Sequence, residues 1–432
     1  MPGPALLYAF PDVATTASYP LVHLSLVVGG TLLDSAGGRL GTVDDLIVRL
    51  GEDEYPPVTG LVAQVAGRQV FVPADAVASI DHGRVMLRLA RLDLQPFERR
   101  PQEVLLDKDV LDRQLINVEG ARLVRSNDIE LARLEGWYRV VGVDVSPRSY
   151  ARRLLPRRLG RRIETRSFLD WANVEPFTGH VPTVRLRVPH PKLARLHPAE
   201  LADLVEAASH REGEEIIQGI SADPELEADV FEELESGHQL EFIEERPDAE
   251  IAAVLARMES DDAADLIAEL PEERREEIVA LLPEVQRRRL RTLLGHDPAT
   301  AGGLMSPDFI CLYSQATREE ALDRVARSGY PADAITWLFV MNQARRLSGA
   351  IHLVDLLRAD ADSVVRDLAE PAKRVRTDAD IEEVARLMTD YDLTVVAVVD
   401  DDERLQGVIT VDDVLELVLP PGWRRHFGVL GD

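Results

Sequence analysis

Apolar positions along the 432-residue chain fall into three regimes. From Leu24 to about residue 89, short apolar runs at 43–50, 58–65, 69–72 and 85–89 are separated by Gly-Gly, Tyr-Pro-Pro and Asp-His-Gly. Strand-length runs between turn residues predict an all-β module, a small barrel or half-barrel. A second β-rich stretch spans 103–176, with a strand at 137–145, and repeats the order strand, Gly turn, strand, Asp. It reads as a second copy of the first.

The period changes from about residue 197 to 294. Val254, Leu255 and Met258 recur twelve residues on as Leu266, Ile267 and Leu270, and again as Ile278, Val279 and Leu282; Leu290, Arg291 and Leu294 make a fourth copy. Ser260, Pro271 and Pro283 fall between copies, as an N-cap or a proline at the first helical position would. Short helices that each bury a stripe on the next predict an α-solenoid.

The third regime mixes both periods. Residues 309–313, 337–341 and 347–353 read as strands, with a helix over 317–327 and another from Val354. A similar unit follows. Ile381, Val384, Ala385 and Met388 predict a helix over 379–391, then strands 394–399 and 405–410 flank the polar turn Asp400-Asp401-Asp402-Glu403-Arg404, and a helix starts at Val411. The fold class is therefore multidomain α+β: small β-barrel modules, an all-α superhelical repeat and an α/β pair.

Gly407-Val408-Ile409-Thr410-Val411-Asp412-Asp413 resembles the signature that closes a CBS domain. The run from Arg376 through Val418 resembles, more narrowly, the second CBS domain of MgtE-type magnesium channels. LHPAELADLV and MESDDAADLIAELPEERREEIVALLP resemble that family's N-terminal superhelical domain, and DPATAGGLMSP its junction into the first CBS domain. SAGGRLGTVDDLIVRL and QVFVPADAVASI resemble a PRC-barrel. The domains so implied are a PRC-barrel-like unit at 1–100, a second β-rich unit at 101–185, a helical domain at 190–300, CBS domains at 301–358 and 359–419, and a tail at 420–432.

Charge sharpens this. The formal net charge is −27, and between residues 190 and 300 there are 29 Asp and Glu against 11 Lys and Arg, so 18 of the 27 lie there. Such a surface repels nucleic acid and anionic lipid head groups and attracts cations, and its commonest meaning is solubility; no nucleic-acid partner is expected. Mg²⁺ is a hard ion that takes oxygen ligands and uses one or two carboxylates directly. In the resembling family, acids between the helical domain and the CBS pair, and between CBS copies, hold regulatory Mg²⁺. Motif match carries this to Asp380, Glu382, Asp392, Asp413 and Glu416, with Asp261, Asp262 and Asp265 as helical-domain partners. The competing reading is that they are helix caps and turn residues, since acids stabilise a helix start in any case. Thr410 and Asp413 also stand where CBS domains hold a nucleotide ribose, so ATP or another adenine nucleotide is the second ligand implied. His352 occupies the position where the first CBS copy would carry Ser or Thr.

One segment runs against the charge of the whole. Arg148, Arg152, Arg153, Arg157, Arg158, Arg161, Arg162 and Arg166 face a single acid, Glu164. Docking to an acidic domain of this chain or of a partner is the expectation, with an anionic membrane surface, RNA and a merely solvated insertion as alternatives. Pro156 and Gly160 interrupt any long basic helix.

The single cysteine, Cys311, excludes an intrachain disulfide. No phosphate-binding glycine loop, G-x-S-x-G or paired histidines at zinc spacing occur, so no enzyme is expected. Residues 13–33 lack charge but contain Pro20, Gly29 and Gly30, and no membrane span is predicted. Past Glu416 the resembling family continues into a connecting helix and transmembrane helices, whereas Leu419-Pro420-Pro421-Gly422 breaks the helix here. The expected protein is a cytoplasmic Mg²⁺-responsive regulator, a homodimer through its CBS domains. It would shift conformation to control a separately encoded divalent-metal transporter, through which it could also be membrane-associated. The alternatives are an adenine-nucleotide sensor and a passive PRC-barrel scaffold.

Overall fold

The alternation of the first β run is realised as a curved sheet in the computed structural model, which describes residues 7–8, 19–51, 53–88, 95–155, 160, 168–181, 192–244, 246–330 and 334–419. By internal contacts the chain divides into a unit of residues 1–226 and a unit of residues 227–432.

In the first unit the long strand Arg39–Arg49 pairs antiparallel with Val58–Val65, which pairs with Arg68–Pro73. On its other side Thr31–Leu33 joins Arg39–Arg49 to Arg84–Leu87 and Val77–Asp81. The strand path is open, with Arg68–Pro73 and Val77–Asp81 at its ends. The second run forms the sheet Leu169–Asp170, Trp137–Asp144, Asp128–Leu134 and Val22–His23, and a smaller one of Arg122–Arg125, Gln114–Asn117 and Val174–Pro176.

The two β segments are built into each other. Glu103–Leu105, which opens the second, pairs with residues 47–49 of the first, while Val22–His23, which opens the first, pairs with Leu131 and Glu130 of the second. Each exchange is fastened by one buried aspartate. Asp45 accepts the N–H groups of Leu46, Asp107 and Lys108 at 2.8, 2.8 and 3.2 Å. Asp128 accepts those of Ser25 and Ile129 at 3.0 and 2.9 Å and the Ser25 hydroxyl at 2.5 Å. Burial still pushes the Asp45 carboxyl up to about 7, because three amides only partly offset its desolvation. Leu24, Leu46, Leu61, Leu115, Ile129 and Val143, drawn from both segments, lie in one core.

The basic segment begins as the helix Pro147–Leu154, whose Ser149 and Arg152 are the buried residues. Arg152 is wholly enclosed and meets Asp128, Glu130 and Asp144 at 3.0, 3.5 and 3.2 Å, with His23 Nδ1 2.5 Å from Glu130. Arg153 is bidentate to Asp112 at 2.6 Å, which holds that carboxyl below the usual carboxylate range. These two arginines are docked on acids of the same unit. Arg157, Arg158, Arg161, Arg162 and Arg166 lie outside the described residues.

In the second unit the helices Asp248–Leu255, Ser260–Glu269, Glu272–Leu281 and Glu284–Leu293 succeed one another at the twelve-residue period. Each helix packs on the next but one, and Leu255, Leu266, Ile267, Ile278, Val279 and Leu290 form the buried stripe. Two details differ from the sequence reading. Pro271 and Pro283 are N-caps in extended conformation rather than first helical residues, and Ser260 is the first helical residue after the N-cap Glu259. An N-cap contributes only its carbonyl to the ladder, so proline's missing N–H costs nothing there. In the fourth copy Leu293 takes the buried place expected of Leu294, and Arg291 is exposed.

Two α/β units follow. In the first, Ile310–Tyr313 runs parallel to Trp337–Met341, which pairs antiparallel with Leu347–His352; helices Arg318–Arg327 and Leu353–Arg358 flank them. In the second, Arg374–Arg376, Val395–Val399 and Leu405–Thr410 repeat the arrangement with helices Ile381–Tyr391 and Val411–Val418. Arg374–Arg376 is a strand the sequence pattern does not reveal, since three residues with one apolar centre show no period. The sheets are joined by a shared cluster of Phe339, Leu347, Ala350, Val395, Ala397, Val399 and Val408. Cys311 lies half-buried on its strand, and burial pushes its thiol up to about 12, so it packs rather than reacts.

Candidate metal centre

The carboxylates whose fields meet at Asp261 come from three places in the second unit. The helix Ser260–Glu269 starts with Asp261 and Asp262 in its first turn, where acids favour the N-terminal dipole. Asp308 sits in the junction ahead of Ile310–Tyr313, buried and ion-paired to Arg289 at 2.6 Å. Asp413 lies in the first turn of Val411–Val418 and accepts the Thr410 N–H at 2.8 Å. Asp261 is the focus. Its Oδ1 is buried without a hydrogen-bond partner. Burial, followed by the negative fields of Asp413, Asp308 and Asp265, pushes its carboxyl up to about 8. Burial also raises Asp308 against the pull of Arg289, and raises Asp265, with Glu269 adding to it.

A carboxylate oxygen enclosed without a hydrogen bond is expensive, and the Asp261 backbone N–H offsets only part of the shift. Three more acids within its field make the place hostile to anything but a proton or a cation. Beside it opens a polar cavity of about 390 Å³. Glu232, Glu259 and Asp308 line it together with Arg257, Arg289 and Tyr330. Burial raises Glu232 to about 7, although the Glu259 N–H opposes the shift. The donor set is all oxygen and anionic, which fits a hard divalent cation and excludes the soft metals that want thiolate or imidazole.

Of the residues singled out from the sequence, Asp413 and Asp265 act electrostatically on Asp261. Asp262 is half-buried. Glu382 lies in the helix Ile381–Tyr391 with Asp380 and Asp392 as its caps, and the main charges that shift Asp261 are others, Asp413, Asp308 and Asp265. Asp380 is that helix's N-cap and accepts the Glu383 N–H at 2.8 Å; Asp380→Ala should cost about 1 kcal/mol in chelator, checked by denaturant unfolding. Glu382 is exposed in the first turn. Asp392 closes the helix in the left-handed conformation at φ 52°, so Asp392→Gly removes the carboxylate without straining the backbone, as alanine would. The Glu416 side chain lies outside what the structure describes.

Sequence reasoning missed Asp308, three residues after Met305 in the DPATAGGLMSP junction. Its only signal was position, an acid between two domains that each carry more. Of the ribose candidates, Thr410 is buried and is engaged with Asp413 in the capping box that opens the helix Val411–Val418. His352 performs the capping that a hydroxyl would, since its Nδ1 accepts the Val354 N–H at 3.3 Å.

A superhelix of short helices leading into paired β-α-β-β-α units defines the class, a helical repeat domain joined to a CBS-domain pair. Residues 196–299 match the MgtE intracellular N domain, and residues 301–362 and 365–420 match the CBS domain. The chain therefore carries the MgtE N domain and a CBS pair. It is 36% identical over 98 residues to the magnesium transporter MgtE of Thermus thermophilus, 22% of either chain, and 29% identical over 160 residues to that of Bacillus subtilis, 37% of this chain and 35% of the relative. The matched stretches thus span between 22% and 35% of the length of these curated relatives. Among solved structures, the cytosolic domain of the Mg²⁺ channel MgtE in complex with ATP is 32% identical, with a TM-score of 0.49 over 52% of this chain and 92% of that one. Among the described residues, no helix is long and apolar enough to cross a membrane.

Proposed function

We propose that the chain is a Mg²⁺-responsive regulator whose cation is held between the helical domain and the CBS pair. The carrying observation is the buried, unpartnered Oδ1 of Asp261 in the field of Asp413, Asp308 and Asp265. Without cation these acids repel or take up protons, and the faces that bear them are loosened. With cation they close. The curated relatives' identity as magnesium transporters supports Mg²⁺ as that cation. Asp262, Asp380, Glu382, Asp392 and Glu416 are carried as further ligands on motif match.

One ion at ten times its Kd favours the bound state by about 1.4 kcal/mol. Moving a population from 1:99 to 99:1 takes about 5.5 kcal/mol, so on the order of four ions act together. That gives a steep response at millimolar Mg²⁺. Calorimetric titration of the full chain checks it: cooperative Mg²⁺ binding that Asp413→Asn weakens supports the reading, and heats no larger than an ionic-strength-matched NaCl control contradict it.

The output in this reading is regulatory, not enzymatic: a membrane transporter for Mg²⁺ or another divalent metal that this protein binds in the cytoplasm. Exposed Val354, Leu357, Leu415 and Val418 on the CBS helices support a homodimer formed there. The exchanged strands and paired aspartates of the first unit support reading residues 1–100 and 101–185 as two PRC-barrel-like copies. A second reading, adenine-nucleotide binding in the CBS cleft, is carried by the motif position of Thr410 and Asp413 at the start of the helix Val411–Val418. Titration with ATP in the absence of divalent cation separates it from the first.

A further inference from the structure

Where the two β segments of the first unit meet, they leave a cavity of about 270 Å³. Buried Val58, Leu61, Val77 and Ile80 of the first segment form its apolar lining. The rest comes from the hairpin of Asp128–Leu134 and Trp137–Asp144, which turns at Glu135 and Gly136 with φ of 51° and 88°. Tyr138 ties the two sides together: its hydroxyl accepts the Ile80 N–H at 2.8 Å and donates to the Ile80 carbonyl at 3.1 Å. The cavity is therefore pre-formed. Trp137, the next residue on that strand, lines it while remaining 46% exposed, an indole wall with one side uncovered.

Two arginines complete the lining. Arg88 Nε donates to the Val77 carbonyl at 3.1 Å and Arg133 Nε to the Gly136 carbonyl at 3.2 Å, so each guanidinium is fixed by one nitrogen and keeps its terminal nitrogens for another acceptor. Neither has an ion-pair partner among the described residues. Asp75 is the acid among the described lining residues, which sets two positive charges against one negative in a chain of net charge −27. We propose that this cavity binds a small aromatic carboxylate, its ring against Trp137 and the apolar lining and its carboxylate at the arginines. The volume lies just below the roughly 300–1,000 Å³ of drug-sized sites, which limits the occupant to about one ring system. An inorganic anion would answer the arginines and leave Trp137, Val58 and Leu61 unused. An extended peptide is disfavoured, because Val77–Asp81 ends the strand path and Tyr138 already takes the Ile80 N–H and carbonyl that a further strand would pair with. The inference goes beyond the magnesium reading and uses none of its residues.

The test is calorimetric titration of the full chain, in chelator, with cinnamate and with cinnamyl alcohol, which has the ring without the charge. The wild type is expected to bind cinnamate with a Kd of about 1 mM or tighter, and the alcohol about tenfold more weakly. The double variant R88Q with R133Q should lose about tenfold in cinnamate affinity, and W137A about fivefold. Arg88, Arg133 and Trp137 are all exposed, so folding is not at stake, and the comparison of the two probes needs no variant. L281S with V285S, which alters exposed apolar residues in the other unit, should bind like the wild type. No binding of cinnamate by the wild type overturns the proposal, as does equal binding of the alcohol or undiminished binding by R88Q with R133Q. A peptide ending in phenylalanine that binds more than about tenfold tighter than cinnamate would assign the cavity to a chain terminus instead and equally overturn it.

Discussion

Asp261→Asn is expected to abolish most of the Mg²⁺-dependent stabilisation of the chain while making the cation-free protein more stable. The amide keeps the volume of the carboxyl and removes the charge that Asp413, Asp308 and Asp265 oppose. In the wild type, the native Asp261 titrates at about 8 against an ordinary 3.8. Between those values the native state holds a proton that the unfolded state has released, so cation-free stability falls as pH rises across the window. Mg²⁺ competes with that proton. Its affinity should therefore climb with pH, by up to about tenfold per unit, and level off above about 8. Thermal unfolding at pH 6 and pH 8.5, each with Mg²⁺ and with chelator, reads all of this. The wild type should gain more from Mg²⁺ at the higher pH. The variant should show little gain at either, and a smaller difference between the two pH values in chelator.

Arg152→Met should be the most damaging single substitution in the first unit. Arg152 is 0% exposed, and its replacement withdraws the guanidinium from Asp128, Glu130 and Asp144 in the interior. Breaking a buried ion pair from one side costs about 3–5 kcal/mol, a large part of the roughly 5–15 kcal/mol that a domain has. Burial already raises the Asp128 carboxyl, with Glu130 adding to it and Arg152 opposing. Without Arg152 the native state would favour a further proton, so the variant should recover part of its stability as pH falls toward 5. Arg153→Met is the contrasting variant. Asp112 is partly exposed, and its loss should cost at most about 1 kcal/mol. Denaturant unfolding at two pH values distinguishes them.

The CBS units were legible because their signals are local: a helix period, a five-residue polar turn and a closing Gly to Asp motif. The helical repeat was legible for the same reason, the recurrence of Leu266, Ile267 and Leu270 as Ile278, Val279 and Leu282. What escaped depends on distant partners. Arg152 stands in a basic run that looks solvated, and its three acids sit 8 to 24 residues away on two strands, so only the fold makes it interior. Nothing local marks Asp45, inside the run 43–50, or Asp128, in the second β-rich stretch, yet each fastens the opening of the other segment. Among the metal candidates, motif match could not separate acids that cap a helix, such as Asp380, from Asp261, whose environment is set by helices about 150 residues apart.

Hydrogen exchange of the full chain across a Mg²⁺ titration, with an ionic-strength control, tests the central claim most directly. Mg²⁺ held between the domains should raise protection in Ser260–Glu269 and Val411–Val418 together and steeply, and Asp413→Asn should remove the effect from both. Protection that rises in neither helix, in only one, or equally in the control would contradict it.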